Sequence, residues 1–140
     1  MDAPRTFTPE EAQALLPQVR PLLAQLRDAF HGFRFAREQW TELREVYGED
    51  PASVEQHPAH DEAVRWRREA EAQGQRVQAL VDELDALGVE VKDPMLGLID
   101  FYAQREGELV YLCFRDDEDA LRYWHPLSTG FAGRRPLSEF

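Results

Sequence analysis

The fold of this chain is decided by residues 8–47, TPEEAQALLPQVRPLLAQLRDAFHGFRFAREQWTELREVY. Thr8 supplies a capping hydroxyl, Pro9 suits the first helical position, and Glu11 can bond back to the cap. From there, apolar and small residues recur at alternating steps of three and four, the spacing of a coiled-coil seam. The seam residues are Ala12, Leu15, Val19, Leu22, Leu26, Ala29, Phe33, Ala36, Trp40, Leu43 and Tyr47. The pattern predicts a long helix that ends before Gly48.

Two features modify this first helix. Pro17 and Pro21 each remove a helix hydrogen bond and crowd the preceding turn, so they predict a bend or a short separate first helix. Four further apolar residues lie beside the seam, and these are Leu16, Leu23, Phe30 and Phe35. They make the stripe wider than a contact with one helix needs. We therefore expect a homodimer in which two hairpins form a four-helix assembly, or else a C-terminal tail that covers part of the stripe.

A second helix is predicted after a polar connection of about residues 48–60. Its seam residues are Ala63, Trp66, Ala70, Gln73, Val77, Leu80, Leu84 and Leu87. Gly88 follows as a natural left-handed cap. Two long helices joined by roughly a dozen residues pack antiparallel, with a crossing angle of about +20°.

After Gly88 the apolar period changes to near two, which is typical of β-strands. Residues 89–91, 98–102 and 109–114 are strand candidates, and residues 105–108 resemble a hairpin loop. The predicted fold class is therefore α+β, mostly α: a long antiparallel two-helix hairpin, coiled-coil-like, followed by a small antiparallel β tail. We expect a single domain over 1–140, with the hairpin at about 8–88 and the β-containing tail at about 89–140.

Composition narrows the classes of partner and compartment. The 140 residues include 27 acidic and 16 basic side chains, which gives a formal net charge of −11. Such an acidic surface repels phosphate, so we expect no nucleic-acid partner and no anionic membrane partner. Cys113 is the one cysteine, the N-terminal residues carry no signal-peptide pattern, and no run approaches about 20 apolar residues. We expect a cytoplasmic protein.

The β tail gathers reactive side chains within few residues. On an extended strand Tyr111 and Cys113 share one face, and His125, next to Trp124, can meet Cys113 or Asp100 if residues 123–125 form the neighbouring strand. The candidate cofactor-binding residues are Tyr111, Cys113, Trp124 and His125, with haem or a divalent transition-metal ion as the ligand. The alternative is structural, with Cys113 as a small core residue and His125 as a turn residue.

A second candidate metal site lies in the connection, where His57, His60 and Asp61 fall within five residues. The two imidazoles are three residues apart across a proline, whereas zinc ligands on a helix favour a spacing of four. A polar loop that runs into a helix cap explains the same residues.

Motifs along nearly the whole chain resemble one known family. The start Phe7-Thr8-Pro9-Glu10-Glu11-Ala12 and Leu15-Leu16-Pro17 is similar to that family's start. The later motifs are Leu87-Gly88-Val89-Glu90-Val91-Lys92-Asp93, Gly97-Leu98-Ile99-Asp100-Phe101, Tyr111-Leu112-Cys113-Phe114-Arg115, Trp124-His125 and Gly130-Phe131-Ala132-Gly133-Arg134-Arg135-Pro136-Leu137. Together they resemble the family called domain of unknown function 2203. The sequence departs from that pattern at Tyr102, where we expect proline, and at Phe114, where we expect tryptophan. The resemblance implies a bacterial cytoplasmic protein and no particular chemistry.

Three functional hypotheses follow. The leading one is a non-enzymatic binding protein, a dimeric hairpin whose β tail forms a ligand or cofactor pocket with the adjacent aromatic residues. The second is a protein-interaction or stress-related scaffold with no small-molecule ligand. The third is a small enzyme that uses Cys113 and His125 with Asp100, and it requires a thiolate of lowered pKa.

Overall fold

The computed structural model describes residues 3–140 and contains two long helices followed by a five-stranded antiparallel sheet. The helices are α1 (Pro9–Tyr47) and α2 (His60–Ala86), and the strands are β1 (Val89–Asp93), β2 (Leu98–Arg105), β3 (Glu108–Arg115), β4 (Tyr123–Pro126) and β5 (Arg135–Pro136). Short 3₁₀ helices lie at Pro51–Ser53, Phe131–Gly133 and Leu137–Glu139. This arrangement confirms the predicted α+β class, with a long helical hairpin before a small antiparallel sheet. Within residues 3–140, neither helix has a stretch apolar enough to cross a bilayer.

The predicted helix start and stop of α1 are both present. The Thr8 amide donates to Glu11 Oε1 at 2.9 Å, and the Glu11 amide donates to Thr8 Oγ1 at 3.1 Å, which is a reciprocal capping box. The helix ends at Tyr47, and Gly48 follows with a φ of +68°. The prediction of a short separate first helix was wrong, because Pro17 and Pro21 lie inside one continuous helix. Both prolines are exposed, so the carbonyls that lose their helical partners can be solvated.

The described chain forms two compact units. One is the hairpin unit, residues 28–79, and the other is the sheet unit, residues 3–27 together with 80–140. In the hairpin unit, the ring of Phe35 meets that of Trp66 edge-on at 5.5 Å, and Phe33 packs on Gly74. Later residues of α1 thus face earlier residues of α2, so the helices are antiparallel, as predicted.

The sheet unit is a meander in which every strand pairs with its sequence neighbour, in the order β1-β2-β3-β4-β5. Glu106 and Gly107 have φ values of 52° and 82°, so they form a two-residue turn of the kind that matches strand twist. This turn fixes the register in which Asp100 lies opposite Cys113. On the other side of β3, Tyr111 lies opposite His125.

One face of the sheet is apolar and lies along the first part of α1. The guanidinium of Arg20 sits 4.9 Å from the Phe114 ring centroid, and the Gln13 side chain accepts a hydrogen bond from the Leu121 amide at 2.8 Å. On this side of the helix, Leu16 and Leu23 are each 1% exposed. The seam residues Leu15 and Leu22 are only partly buried. The C-terminal tail therefore covers part of the wide stripe. In this segment Leu16 and Leu23 take the places predicted for Leu15 and Leu22, whereas the other predicted seam residues, Ala12, Val19, Leu26 and Ala29, are buried.

Candidate functional site

The opposite face of the sheet is polar, because residues that pair across strands project on the same side. Pairing places Asp100 beside Cys113, and Tyr102 beside Tyr111 and then His125. Ile99, Phe101, Leu112 and Phe114 alternate with them and project into the apolar core. The alternation of β2 and β3 thus concentrates the reactive side chains on one surface.

Three of these side chains, the buried trio Asp100, Cys113 and His125, converge on one point. They are 2%, 1% and 3% exposed, respectively. One oxygen, sulfur or nitrogen atom from each lies within 4.8 Å of the other two. Across the described residues 3–140, this is the one group of three or more histidine, cysteine or acidic side chains with such geometry.

Hydrogen bonding fixes the tautomer of His125. Its Nδ1 lies 2.8 Å from the Pro126 carbonyl oxygen, which is only an acceptor, so Nδ1 carries a proton and donates. Its Nε2 lies 3.1 and 3.2 Å from the two Asp100 oxygens. That contact needs one proton, held by Nε2 as an imidazolium or by Asp100 as a carboxylic acid. In both forms the Asp100–His125 pair has no net charge.

The pKa values of the other two members reflect their burial. Burial raises the pKa of Asp100, against the opposing effects of the His125 charge and of hydrogen bonds from Cys113 and His125. Burial, together with the Asp100 charge, raises the pKa of Cys113 to about 12. The thiol is therefore protonated at neutral pH and hydrogen-bonds to Asp100. A nucleophilic cysteine needs the reverse shift, and His125 has no free ring nitrogen to act as its base.

A small cavity of about 240 Å³ opens onto the trio. All three trio residues line it, and the segment after β4 forms part of its wall through Thr129, Gly130 and Phe131. Lys92 also lines the cavity and supplies a cationic side chain there. A ligand held by the trio can therefore also contact a water molecule or a small molecule in this cavity.

A hydrogen-bonded network borders the trio on the same polar face. The Tyr111 hydroxyl donates to Glu90 Oε2 at 2.8 Å and lies 3.0 Å from the Tyr102 hydroxyl. Lys92 Nζ lies 2.7 Å from Glu90 Oε1 and 3.2 Å from the Tyr111 oxygen. Burial, together with the hydrogen bonds to Tyr102 and Glu90, raises the pKa of Tyr111, so its side chain stays a neutral phenol. The Tyr111 ring packs against the imidazole of His125, with the two ring centroids 5.3 Å apart.

Comparison with known proteins matches residues 5–137 to an uncharacterized conserved protein family, DUF2203. The chain belongs to the DUF2203 family. No curated protein and no solved structure matches it. The family resemblance expected from the motifs is thus confirmed over nearly the whole chain.

Sequence reasoning placed most of the site of this DUF2203 protein but missed one member. Cys113 and His125 meet as predicted, and Tyr111 lines the same cavity. Trp124 does not, because it faces the apolar side of the sheet, with the guanidinium groups of Arg105 and Arg135 4.6 and 5.2 Å from its ring. Asp100 was expected within reach of His125, but it was given a role only in the enzyme hypothesis. The signal was present in the sequence, since a carboxylate between Ile99 and Phe101 in an apolar strand needs a buried partner.

The second candidate metal site, His57, His60 and Asp61, is not assembled in this DUF2203 protein. His57 Nδ1 accepts a hydrogen bond from the Ala59 amide at 3.0 Å, and the ring packs edge-on against Tyr47. His60 Nδ1 lies 3.0 Å from the Pro51 carbonyl oxygen, and Asp61 is exposed. The two imidazoles have separate structural partners at the start of α2, which agrees with the loop-and-cap alternative.

Proposed function

We propose that this DUF2203 protein is a non-enzymatic cytoplasmic protein that binds a divalent transition-metal ion at Asp100, Cys113 and His125. The observation that carries the proposal is the convergence of one nitrogen, one sulfur and one oxygen ligand within 4.8 Å. A mixed N, S and O set suits zinc and its neighbours, whereas magnesium and calcium favour oxygen alone. The raised pKa of the Cys113 thiol and the engaged nitrogens of His125 argue against nucleophilic catalysis, and a divalent ion has to displace the protons that these groups hold.

The spacing of the trio suits a tetrahedral ion. Zinc bonds of about 2.0–2.3 Å at tetrahedral angles place pairs of ligand atoms about 3.3–3.7 Å apart. The observed Nε2–Oδ separations of 3.1 and 3.2 Å are close to this range. Three protein ligands leave a fourth position, which faces the cavity for a water molecule or a small ligand.

The surroundings of His125 support the same assignment. Histidines that bind metals donate their second ring N–H to a carboxylate, a backbone carbonyl or water, which fixes the tautomer. The Nδ1–H of His125 donates to the Pro126 carbonyl, so Nε2 faces the trio and presents its lone pair once the proton shared with Asp100 has left. The orientation of the ring is thus set before any ion arrives.

Charge balance permits a divalent ion at the trio. The trio holds two protons, one on the Cys113 thiol and one within the Asp100–His125 pair, and it has no net charge. When a divalent cation replaces both protons, the ligands become a thiolate, a carboxylate and a neutral imidazole, and the total is again zero. The exchange therefore adds no net charge to the buried site, where uncompensated charge would be costly.

The size of the cavity favours an ion over a haem group. At about 240 Å³ it lies below the range of about 300–1,000 Å³ that is usual for pockets that enclose drug-sized ligands. A porphyrin is at the large end of that class. We therefore narrow the haem or metal hypothesis to a metal ion.

The test is Co²⁺ titration of the full chain, prepared without metal. Because Cys113 is the one cysteine, a sulfur-to-cobalt charge-transfer band in the near ultraviolet reports ligation by that residue. We expect the band together with intense visible bands of tetrahedral cobalt, at one equivalent. Calorimetry in buffers of different ionisation enthalpy should give two protons released per ion.

Three variants decide the assignment. Cys113→Ala should abolish the charge-transfer band, and Asp100→Asn and His125→Ala should weaken cobalt binding by at least about 10–100-fold. The double variant His57→Ala/His60→Ala is the matched control and should bind as the wild type does. Absence of the band, or its survival in both Asp100→Asn and His125→Ala, would overturn the proposal.

A further inference from the structure

One face of α1 in the hairpin unit carries apolar and charged side chains that no other described part of that unit covers. Phe30 and Phe33 are partly buried, with ring centroids 6.4 Å apart, at the edge of a concavity of about 520 Å³. An adjoining groove of about 490 Å³ lies between α1 and α2 and shares Phe33, with Trp40 and Gly74 also lining it. Adjoining apolar concavities on a helix surface mark an interaction site.

The charges on this face are divided along the helix. Its first half carries Arg34 and Arg37, and its second half carries Glu38, Glu42 and Glu45. None of these five side chains forms an ion pair with another residue in the described range 3–140. The hairpin leaves their charges available to a partner.

This division of charge makes the face complementary to itself. A two-fold axis midway between Gln39 and Trp40 sets a second α1 antiparallel to the first. It then places Arg34 opposite Glu45 and Arg37 opposite Glu42, and the symmetry repeats each pair. A parallel arrangement would place like charges together, so the pattern also selects the orientation.

We propose that this face binds a second copy of the chain, as an antiparallel α1–α1 homodimer centred between Gln39 and Trp40. A second copy is the partner because both halves of the charge pattern lie on one helix of one chain. A net charge of −11 on each chain opposes non-specific self-association, so the local pairing of opposite charges selects this contact. Phe30 and Phe33 supply the apolar surface at each end of the contact.

Charge reversal tests the proposal directly. The variant Arg34→Glu/Arg37→Glu makes the whole face acidic, and Glu42→Arg/Glu45→Arg makes the paired positions all basic. We expect the wild type to be a dimer at micromolar concentration in sedimentation equilibrium. Each variant alone should dimerise at least about 100-fold more weakly, because every pair across the axis becomes a like-charge pair. An equimolar mixture of the two variants should form a heterodimer, which native mass spectrometry identifies by mass.

The matched control is Arg68→Glu/Arg76→Glu, which changes two exposed arginines of α2 that line neither concavity. It alters the net charge as much as the first variant does and should leave the dimer intact. Far-ultraviolet circular dichroism confirms that each variant keeps its helices. A monomeric wild type, a dimer that survives either reversal, or a mixture without heterodimer would overturn the proposal.

Discussion

Removing the Asp100 carboxylate tests how the buried trio is held together without metal. In Asp100→Ala the Nε2 of His125 loses its hydrogen-bond partner. Water does not replace that partner, because the two side chains of the pair are only 3–4% exposed. In Asp100→Asn a partner remains. The imidazole keeps its proton on Nδ1, so the Nε2 lone pair can accept from the new amide group, whose oxygen can accept from the Cys113 thiol.

The two substitutions should therefore differ in free energy of unfolding. Loss of Asp100 leaves the buried Nε2 of a neutral imidazole without a partner, which costs about 1–3 kcal/mol, and the cavity left by the carboxylate adds about 0.5–1 kcal/mol. In Asp100→Asn a hydrogen-bond partner is kept, and the cost is about 0.5–1.5 kcal/mol. We expect Asp100→Ala to be about 1–2.5 kcal/mol less stable than Asp100→Asn, which is a difference of about 5-fold or more in the folding equilibrium constant.

The assay is urea unfolding at neutral pH with a chelator present. It is followed by near-ultraviolet circular dichroism, which reports the packed aromatic residues of the sheet unit. Equal stability of the two variants, or a loss of under about 1 kcal/mol in Asp100→Ala, would contradict the hydrogen-bond assignment. Because Asp100→Asn should fold and yet bind cobalt poorly, it also separates the role of the carboxylate in folding from its role in binding.

Three further predictions concern two glycines with positive φ, the Cys113 thiol and the Asp50 carboxyl group. Gly88 has a φ of +87°, and an added Cβ would lie 2.8 Å from the Phe7 ring, so Gly88→Ala should lower stability to urea by about 2–4 kcal/mol. Gly107→Ala, at a φ of +82° with nothing within 4 Å, should cost only about 1–2 kcal/mol. With a pKa of about 12, Cys113 should react with an aromatic disulfide reagent at pH 8 about 10³-fold more slowly in the native protein than in urea. Burial alone would raise the pKa of Asp50, but hydrogen bonds from neighbouring donors lower it. Its contribution to stability is therefore present at neutral pH and declines as the pH falls below about 4, the unfolded value, towards the lowered folded pKa. The stability gap between wild type and Asp50→Asn in urea should narrow steadily below about pH 4.

Local sequence signals predicted much of this fold because each acts over a few residues. The reciprocal bonds of Thr8 and Glu11 begin α1 where the capping box indicated. Gly48 and Gly88 both have positive φ just after the helix ends. The turn at Glu106 and Gly107 sets the β2–β3 register, and the alternation along β3 puts Tyr111 and Cys113 on one face, as predicted.

Structural features that depend on residues distant in the sequence were harder to predict. The seam pattern favoured Leu15 and Leu22, but the core takes Leu16 and Leu23 because the sheet packs along the same side of α1 as Arg20. The two prolines inside α1 were expected to end or bend a helix. They are accommodated because they lie on its exposed side, and the sequence does not show which side that is.

The sequence by itself determined the two helices, the first three strands and the shared face of Tyr111 and Cys113, since these follow from periodicity, caps and a two-residue turn. Only the tertiary structure decided that Asp100 and His125 share a proton beside the thiol. That contact depends on how β4 returns to β3 after residues 116–122, and such a connection leaves no local signature in the sequence. Burial then gives the trio its chemistry, because the energies of a carboxylate, a thiol and an imidazole depend on the removal of water around them.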